Sequence, residues 1–446
     1  MKYYQFASLL VLLAASGCTQ TEKTPPLKSG INTLTHQVFL LFFVVADSCI
    51  EPYIPNIKNY KSMLIVEGLI TNENKSNRVK LSKTIPKFDS AREMVTDANV
   101  YIIDGEGLKT QLQNCGNGYY KTDSTSFFGV IGQKYTLHIL TSEENEYKSE
   151  ECKMLPIAGI DTVFYEKGEE NLGTQNELFT GIKIFLNTTD ATEMNKFFRW
   201  TFEETWKTRL PGAPLYTYKK ISDTIFTFRA VQVGSDICWK SNMASDILIN
   251  SINQSGENKI SKQMIQFIPA AKSDRLTEQY SILINQYSIS ENEYSFWNNI
   301  KKVNETGGDI FGSQPYTIIS NISNINNNSE MVLGYFEVSA VNHKRIFITA
   351  HELDPLNLPH YRTKCVNVVI CPDDYPDPRN RPTWDGLYHM WTDPGRYTFV
   401  GPIVNGPAVL EGQVYKSQLS KFVFSTKDCS ICSSGITKPD YWPNIQ

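Results

Sequence analysis

Residues 63–71 read Met-Leu-Ile-Val-Glu-Gly-Leu-Ile-Thr, a short run of apolar and β-branched residues that is typical of a strand. Similar runs follow, with glycine-rich turn sequences between them. These runs are RVKLSKTI (78–85), ANVYIID (98–104), GYYKTD (118–123) and QKYTLHIL (133–140). Because no helical pattern separates them, we expect an immunoglobulin-like or transthyretin-like sandwich over residues 61–155.

The rest of the chain, 156–446, predicts a larger β-rich domain with one inserted helix. Strand-like runs continue, as in LFTGIKIFL at 178–186. The helix is expected near residues 290–305, because Ser290 is a good N-cap and aromatic residues then recur near helical spacing. The fold class is therefore mainly β.

Two later segments predict irregular structure. Residues 321–329, NISNINNNS, are rich in Asn and Ser and indicate an exposed loop. Residues 353–407 carry Pro, Asp and aromatic residues with little periodicity. That pattern favours a long loop region that is functional or held by disulfides.

The amino-terminal residues 1–48 are interpreted as a leader, and 49–60 as a tether. The apolar run 38–46 is too short to span a membrane and ends just before Cys49, as in a bacterial lipoprotein signal peptide. A second leader pattern ends at Cys18, which is the alternative lipidation site. We favour Cys49, since the other choice leaves 38–46 exposed in water.

Composition excludes some classes of partner. A formal net charge of −4 gives no broad basic field for nucleic acid or anionic membrane, so lipid is expected to provide the membrane contact. With 41% hydrophobic residues, the chain has enough apolar side chains for real cores.

The cysteines after Cys49 predict disulfides, because exported proteins meet an oxidising environment. The candidates are Cys365, Cys371, Cys429 and Cys432. We expect Cys429 or Cys432 to be disulfide-bonded, with Cys365 or Cys371 as the favoured partner. Zinc binding by these four is the alternative, although the five-residue spacing after Cys365 is longer than usual.

No familiar catalytic or cofactor motif is present, so a non-enzymatic protein without a cofactor is expected. Glu203 and Glu204 are adjacent on a predicted strand and should face opposite ways, which makes them a poor catalytic pair. The weak candidates for a metal site are three acidic residues of one turn-rich loop, which offer oxygen ligands to calcium. They are Asp373, Asp374 and Asp377. An acidic loop held by proline is the alternative.

An aromatic cluster supplies the candidates for ligand contact. Trp384, Tyr388 and Trp391 offer large apolar surfaces with polar tips to a sugar or a peptide side chain. Burial in a core is the commoner role of such residues, and we give it more weight.

Several segments together resemble one family. They are CIEPY (49–53), MLIVEGLIT (63–71), YSISENEYSFW (287–297), GDIFGSQPYTIISNISN (308–324), VLGYFEVSAV (332–341) and CSICSSGITKPDYW (429–442). The chain resembles the Bacteroidota surface-lipoprotein family known as domain of unknown function 4249, from Cys49 to nearly the end. The resemblance implies a setting beside TonB-dependent outer-membrane transporters, and it carries no catalytic residues.

The sequence therefore predicts a lipid-anchored outer-membrane protein at the cell surface. Its expected function is to help a TonB-dependent transporter capture or retain a small nutrient, glycan or peptide, without catalysis. A surface adhesin or structural module is the alternative, and a hydrolase with an unfamiliar site is a third class. No nucleic-acid partner is expected.

Overall fold

The computed structural model describes most of the chain beyond residue 61. The described ranges are 62–85, 92–173, 177–190, 195–232, 234–252, 258–306, 318–405, 412–432 and 434–443. The predicted leader, the tether and both lipidation candidates, Cys18 and Cys49, lie outside the described residues.

Ten strands form in the first part of the described chain. They are β1 (Leu64–Ile70), β2 (Arg78–Lys83), β3 (Glu93–Met94), β4 (Asn99–Asp104), β5 (Lys109–Gln111), β6 (Gln113–Asn114), β7 (Tyr119–Lys121), β8 (Lys134–Leu140), β9 (Glu146–Ser149) and β10 (Cys152–Lys153).

Longer strands and one long helix follow. They are β11 (Gly159–Asn171), β12 (Leu178–Thr189), β13 (Phe197–Arg209), β14 (Tyr216–Lys220), β15 (Ile225–Ala230), β16 (Ile237–Met243), β17 (Leu248–Ser251), β18 (Lys259–Pro269), β19 (Gln279–Ile289), α1 (Glu291–Thr306), β20 (Ile322–Asn324), β21 (Leu333–Val338) and β22 (Val341–Thr349).

Short helices and four strands complete the described chain. They are α2 (Ala350–Leu353), β23 (Asn367–Ile370), α3 (Trp384–Thr392), β24 (Tyr397–Val404), β25 (Gly412–Tyr415), β26 (Leu419–Thr426) and α4 (Lys427–Ser430). Single turns of 3-10 helix lie at Asp274–Leu276, Asp354–Leu356, Pro372–Asp374, Pro378–Asn380 and Lys416–Gln418. No helix in these described ranges is both long enough and apolar enough to cross a membrane.

Two sheets form a sandwich around one core. Sheet 1 has the order β21-β1-β2-β7-β6, with β3 beside β2, and sheet 2 has the order β20-β9-β8-β4-β5, with β10 beside β8. Their shared core includes Val66 and Leu81 from sheet 1 and Ile102 and Leu137 from sheet 2. The sandwich thus takes two of its strands, β20 and β21, from beyond residue 320.

The pairing of β21 with β1 is parallel, whereas β1 pairs with β2 in antiparallel fashion. Gly334 permits this close pairing: its φ is +88°, and a Cβ atom there would lie 2.0 Å from the carbonyl oxygen of Val66. A residue with a side chain would be strained in that conformation and would collide with β1.

Sheets 3 and 4 enclose a second core. Sheet 3 has the order β11-β12-β18, and sheet 4 has the order β16-β13-β19-β22, with β17 beside β13. The fully buried Trp200 lies in this core, with Ile184 of sheet 3 and Ile284 of sheet 4. Helix α1 begins where predicted, because Ser290 accepts a hydrogen bond from the backbone N–H of Glu293 at 3.2 Å.

Sheet 5 (β14-β15-β25) and sheet 6 (β23-β26-β24) share a third core with α3. The mainly β fold class is therefore confirmed, with few helices among the described residues.

The loop predictions need correction in two places. Within the predicted exposed loop 321–329, β20 pairs with β9, and the side chain of Asn324 is buried. The irregular region predicted at 353–407 contains α3 and two strands. Side-chain hydrogen bonds and aromatic packing stabilise these segments, and neither effect follows from local polarity.

Candidate functional site

A cleft of about 740 Å³ lies between sheet 1 and sheet 4. Strands β1, β2, β7 and β21 line one wall, and β13, β16 and β19 line the other. Helix α1 contributes Phe296, Trp297 and Ile300. The volume falls in the range of roughly 300–1,000 Å³ that is usual for small-molecule sites.

The wall from sheet 1 is built by strand alternation. Val66 and Val79 point into the sandwich core, so the alternate residues face the cleft. Adjacent strands place these residues side by side in two rows. One row is Tyr335, Glu67, Lys80 and Tyr119, and the other is Glu337, Leu69 and Arg78.

The wall from sheet 4 follows the same rule. Its cleft-facing pairs across β13 and β19 are Arg199 with Tyr287, Thr201 with Asn285, and Glu203 with Leu283. Glu204 lies on the opposite face, fully buried, where it accepts a hydrogen bond from the Tyr280 hydroxyl at 2.6 Å. Glu203 and Glu204 therefore do face opposite ways.

Arg199 and Glu337 join the two walls. The Nη2 atom of Arg199 on β13 lies 2.6 Å from Oε2 of Glu337 on β21. The Arg199 guanidinium also packs between aromatic rings, 4.6 Å from the centre of Tyr287 and 4.8 Å from that of Trp297. Stacking and ion pairing together fix this side chain at one end of the cleft.

Glu293 on α1 lies behind this ion pair. It is buried, and it accepts a hydrogen bond from the Ser339 hydroxyl at 3.3 Å. Burial, reinforced by the negative charge of Glu337, raises the pKa of Glu293 well above its usual value. Protonation of Glu293 is therefore favoured relative to an exposed glutamate, and the protonated form can donate a hydrogen bond to Glu337.

The residues around this ion pair also shift the pKa of Arg199. Burial by itself lowers the pKa of Arg199, but the carboxylate of Glu337 and the neighbouring Glu293 and Tyr287 outweigh it, and the pKa is raised. The ion pair thus offsets one positive charge with one negative charge at this end of the cleft.

In the rest of the cleft lining, positively charged side chains outnumber negatively charged ones. Glu67 is shared by two cations, since Lys80 lies 4.0 Å from it and Arg92 lies 3.7 Å from it. Arg78 is exposed and forms no ion pair with any described residue. On the opposite wall, Glu203 is also without an ion-pair partner in the described part of the chain.

A family model described as a domain of unknown function (DUF4249) matches residues 50–345. The chain belongs to this family. A search of curated proteins and a search of solved structures each returned no match.

The DUF4249 match contains every described residue that lines the cleft, from Ile65 to Glu337. It ends at residue 345, whereas the resemblance was expected to continue to Trp442. Most of the site candidates named from the sequence lie beyond residue 345, so the cleft and those candidates belong to different parts of the chain.

The calcium candidates are not brought together as ligands. Asp373 pairs with Arg381 at 2.8 Å, and Asp377 accepts from the backbone N–H of Arg379 at 3.0 Å. Asp374 accepts from the backbone N–H of Cys371, which lowers the pKa of its carboxyl. Among the described residues, no group of three or more His, Cys, Asp or Glu side chains is arranged to hold a metal ion. The alternative of an acidic, proline-containing loop fits these contacts better.

The aromatic candidates for ligand contact pack in or against the third core. Trp384 is buried against Phe422, with 4.7 Å between ring centres. Tyr388 stacks on Tyr218 at 4.4 Å, and half-buried Trp391 lies 4.9 Å from the ring of Tyr397. They form the face of α3 that packs against sheets 5 and 6.

The cysteines form two disulfides. Cys365 bonds to Cys429, one of the pairings considered from the sequence, and Cys432 bonds to Cys238. Cys371 is a free thiol. Both bonds hold the carboxy-terminal segment, whose Trp442 is buried with its ring 4.6 Å from that of Trp239. The alternative of a zinc site formed by Cys365, Cys371, Cys429 and Cys432 does not fit this pairing.

The cleft residues were not identified from the sequence. Arg199 and Glu337 are 138 residues apart, and each resembles an ordinary polar position on a strand. One local pattern was available: Arg78 and Lys80 alternate with buried residues along β2, which places two cations on one face.

Proposed function

We propose that this chain is a lipid-anchored outer-membrane protein that captures or retains a nutrient for a TonB-dependent transporter, without a catalytic step of its own. The observation that carries the proposal is the cleft between sheets 1 and 4. Its volume, its charged rows and its aromatic lining are those of a site that holds a small molecule.

The construction of the cleft supports binding. Its walls are strands of two separate cores, so the positions of lining side chains are set by packing behind them. The Arg199–Glu337 pair and α1 connect the walls. Phe296 of α1 lies 4.7 Å from the ring of Tyr335, and Tyr294 lies 4.9 Å from that of Phe197.

Two sequence features support the proposed location and partner. The apolar run before Cys49 supports lipid attachment at the outer membrane. The setting implied by the family resemblance supports a TonB-dependent transporter as the partner. Lipid attachment would keep the cleft close to the transporter and raise the local concentration of captured ligand.

Affinity capture from native membranes tests the partner. A tagged protein with Cys49 intact should recover a TonB-dependent transporter, identified by mass spectrometry, and deletion of the gene should slow uptake of one nutrient. Absence of any such transporter from captures under several growth conditions would count against the proposal. Loss of attachment without loss of growth on any nutrient would favour the adhesin alternative.

Blocking the cleft tests the site separately. Thr201 on β13 lines the cleft between Arg199 and Glu203, so Thr201→Trp should fill it. The expected result is slow uptake with transporter capture unchanged. Thr217→Trp is the matched control, because Thr217 is exposed on β14, away from the cleft lining. Normal uptake in a folded Thr201→Trp variant would contradict a role for the cleft.

A further inference from the structure

Strand β2 presents cations to the cleft at alternate positions. Arg78 and Lys80 both line the cleft and are two residues apart, which places their Cα atoms about 7 Å apart on one face of the strand. Lys75 lines the same side of the cleft, but its charge is compensated by Glu73 at 2.7 Å. The chain as a whole carries a formal charge of −4, so this basic wall is a local feature.

The acidic groups of the cleft leave part of this positive charge uncompensated. Glu337 forms an ion pair with Arg199 at 2.6 Å, and Glu67 forms ion pairs with both Lys80 and Arg92. Arg78 has no ion pair within the described ranges, although its guanidinium has donors placed for a carboxylate. Arg78 is exposed to solvent, and it lies beside a concave, partly apolar site where a bound carboxylate would be partly shielded from water.

Apolar and aromatic groups flank the cations. Leu69 lies directly beside Arg78 in the sheet, and the ring of Tyr119 lies 5.5 Å from Nζ of Lys80. A ligand with its carboxylates on β2 would therefore pack its uncharged part on these side chains. We infer that the cleft binds a small carboxylate-bearing ligand through Arg78 and Lys80, an inference that rests on the proposed capture function and specifies its ligand class.

Calorimetric titration of the purified protein with matched probes tests the ligand class. Trigalacturonate and triglutamate carry carboxylates on a sugar and on a peptide, and galactotriose and triglutamine are their uncharged counterparts. At least one charged probe should bind, and it should bind more tightly than its neutral counterpart. Its affinity should fall as the salt concentration rises from 50 to 500 mM, because salt screens the attraction between the cations and the carboxylates. The charged probe that binds identifies a sugar or a peptide source.

Substitutions in the cleft test the residues. Arg78→Gln should weaken binding of the charged probe by about tenfold or more, the usual effect of losing a hydrogen bond to a charged group. Lys153→Gln changes the net charge equally at an exposed site outside the cleft lining and should leave affinity unchanged. Glu203→Gln removes the unpaired carboxylate of the opposite wall, so it should leave binding equal or tighter.

Three results would overturn the inference: no binding of either charged probe, equal binding of charged and neutral probes, or equal losses from Arg78→Gln and Lys153→Gln. None of them bears on the proposed function, which is judged by transporter capture and by uptake in the Thr201→Trp variant. A cleft that captures a neutral nutrient would keep the function and remove only the carboxylate assignment.

Discussion

Arg199 on β13 and Glu337 on β21 form a 2.6 Å ion pair whose side chains are only 10% and 12% exposed. The two residues belong to different sheets and are 138 positions apart. Their contact therefore connects the sandwich to the second core at one end of the cleft, and Glu293 and the rings of Tyr287 and Trp297 surround it.

Removal of one member of the Arg199–Glu337 ion pair should destabilise the protein. Arg199→Met leaves Glu337 in a mostly buried site without its counter-charge, and we expect the free energy of unfolding to fall by about 3–5 kcal/mol. Urea denaturation measures the loss. The double variant Arg199→Met/Glu337→Met should recover much of it, because no unpaired charge then remains. A loss below about 1 kcal/mol in the single variant, the range of exposed pairs, would show that the pair is well solvated.

Glu293 should make stability depend on pH. Since its folded-state pKa is raised above about 4.5, its contribution to stability is fully present below that pH and is lost as the pH rises through the folded pKa. Glu293→Gln keeps the shape and stays neutral. Its Tm relative to wild type should therefore increase as the pH is raised from 4.5 to 8.

The control for this prediction lies on the same helix. Glu291→Gln changes an exposed carboxylate in the first turn of α1, where a negative charge is favourable. Its Tm difference from wild type should not increase with pH. Parallel pH profiles for Glu293→Gln and wild type would mean that Glu293 is already ionised in the folded protein.

The Cys365–Cys429 bond should contribute strongly to stability. It closes a loop with a sequence separation of 64 residues, and the chain-entropy estimate for a loop of that size is about 4 kcal/mol. Cys365→Ser/Cys429→Ser should lose an amount of that order in chemical denaturation. Cys115→Ser, at an exposed free thiol, should lose little. Mass spectrometry of non-reduced peptides checks the pairing itself, and free thiols at both positions would refute it.

Trp384 should behave as a core residue. Its side chain lies at the start of α3 and is buried in the third core, and truncation of a buried aromatic residue to alanine typically costs about 3–5 kcal/mol. Trp384→Ala should therefore lower the Tm markedly, whereas Phe128→Ala should change it little, because Phe128 is 50% exposed. An unchanged Tm together with lost ligand binding would instead support the ligand-contact role.

Palmitate labelling tests the proposed lipidation at Cys49. If Cys49 is the mature amino terminus, Cys49→Ala abolishes labelling and Cys18→Ala leaves it intact, because only Cys49 then receives the lipid. The opposite result would assign the anchor to Cys18. Both variants should be expressed at the natural level, because overexpression can saturate an export pathway and leave unlabelled protein.

Local sequence patterns predict the elements that are stabilised by interactions between residues close together in the chain. The run from Met63 to Thr71 forms β1, and Ser290 caps α1, since strand alternation and capping both act within a few residues. Asn321 was expected in an exposed loop because Asn is polar. Its amide instead exchanges two 2.9 Å hydrogen bonds with the backbone of Phe336, a partner that the local sequence does not indicate.

Helix α3 was missed for a different reason. Trp384, Tyr388 and Trp391 follow helical spacing, and Thr383 caps the helix by accepting from the backbone N–H of Gly386 at 3.0 Å. The surrounding prolines obscured this pattern. Local patterns do not predict the cleft, because its residues come together only when sheets 1 and 4 pack.

The late position of β20 and β21 in the chain affects how the protein can assemble. A polypeptide that emerges with its amino terminus first releases β1 and β9 long before residues 322–338, which supply the second neighbour of each strand. Until then, both strands have an open edge that can pair with another molecule. Such delayed closure slows folding and favours aggregation of partly synthesised chains. A fragment that ends near residue 155 would keep those open edges permanently, so the sandwich should be produced with residues 322–338 attached.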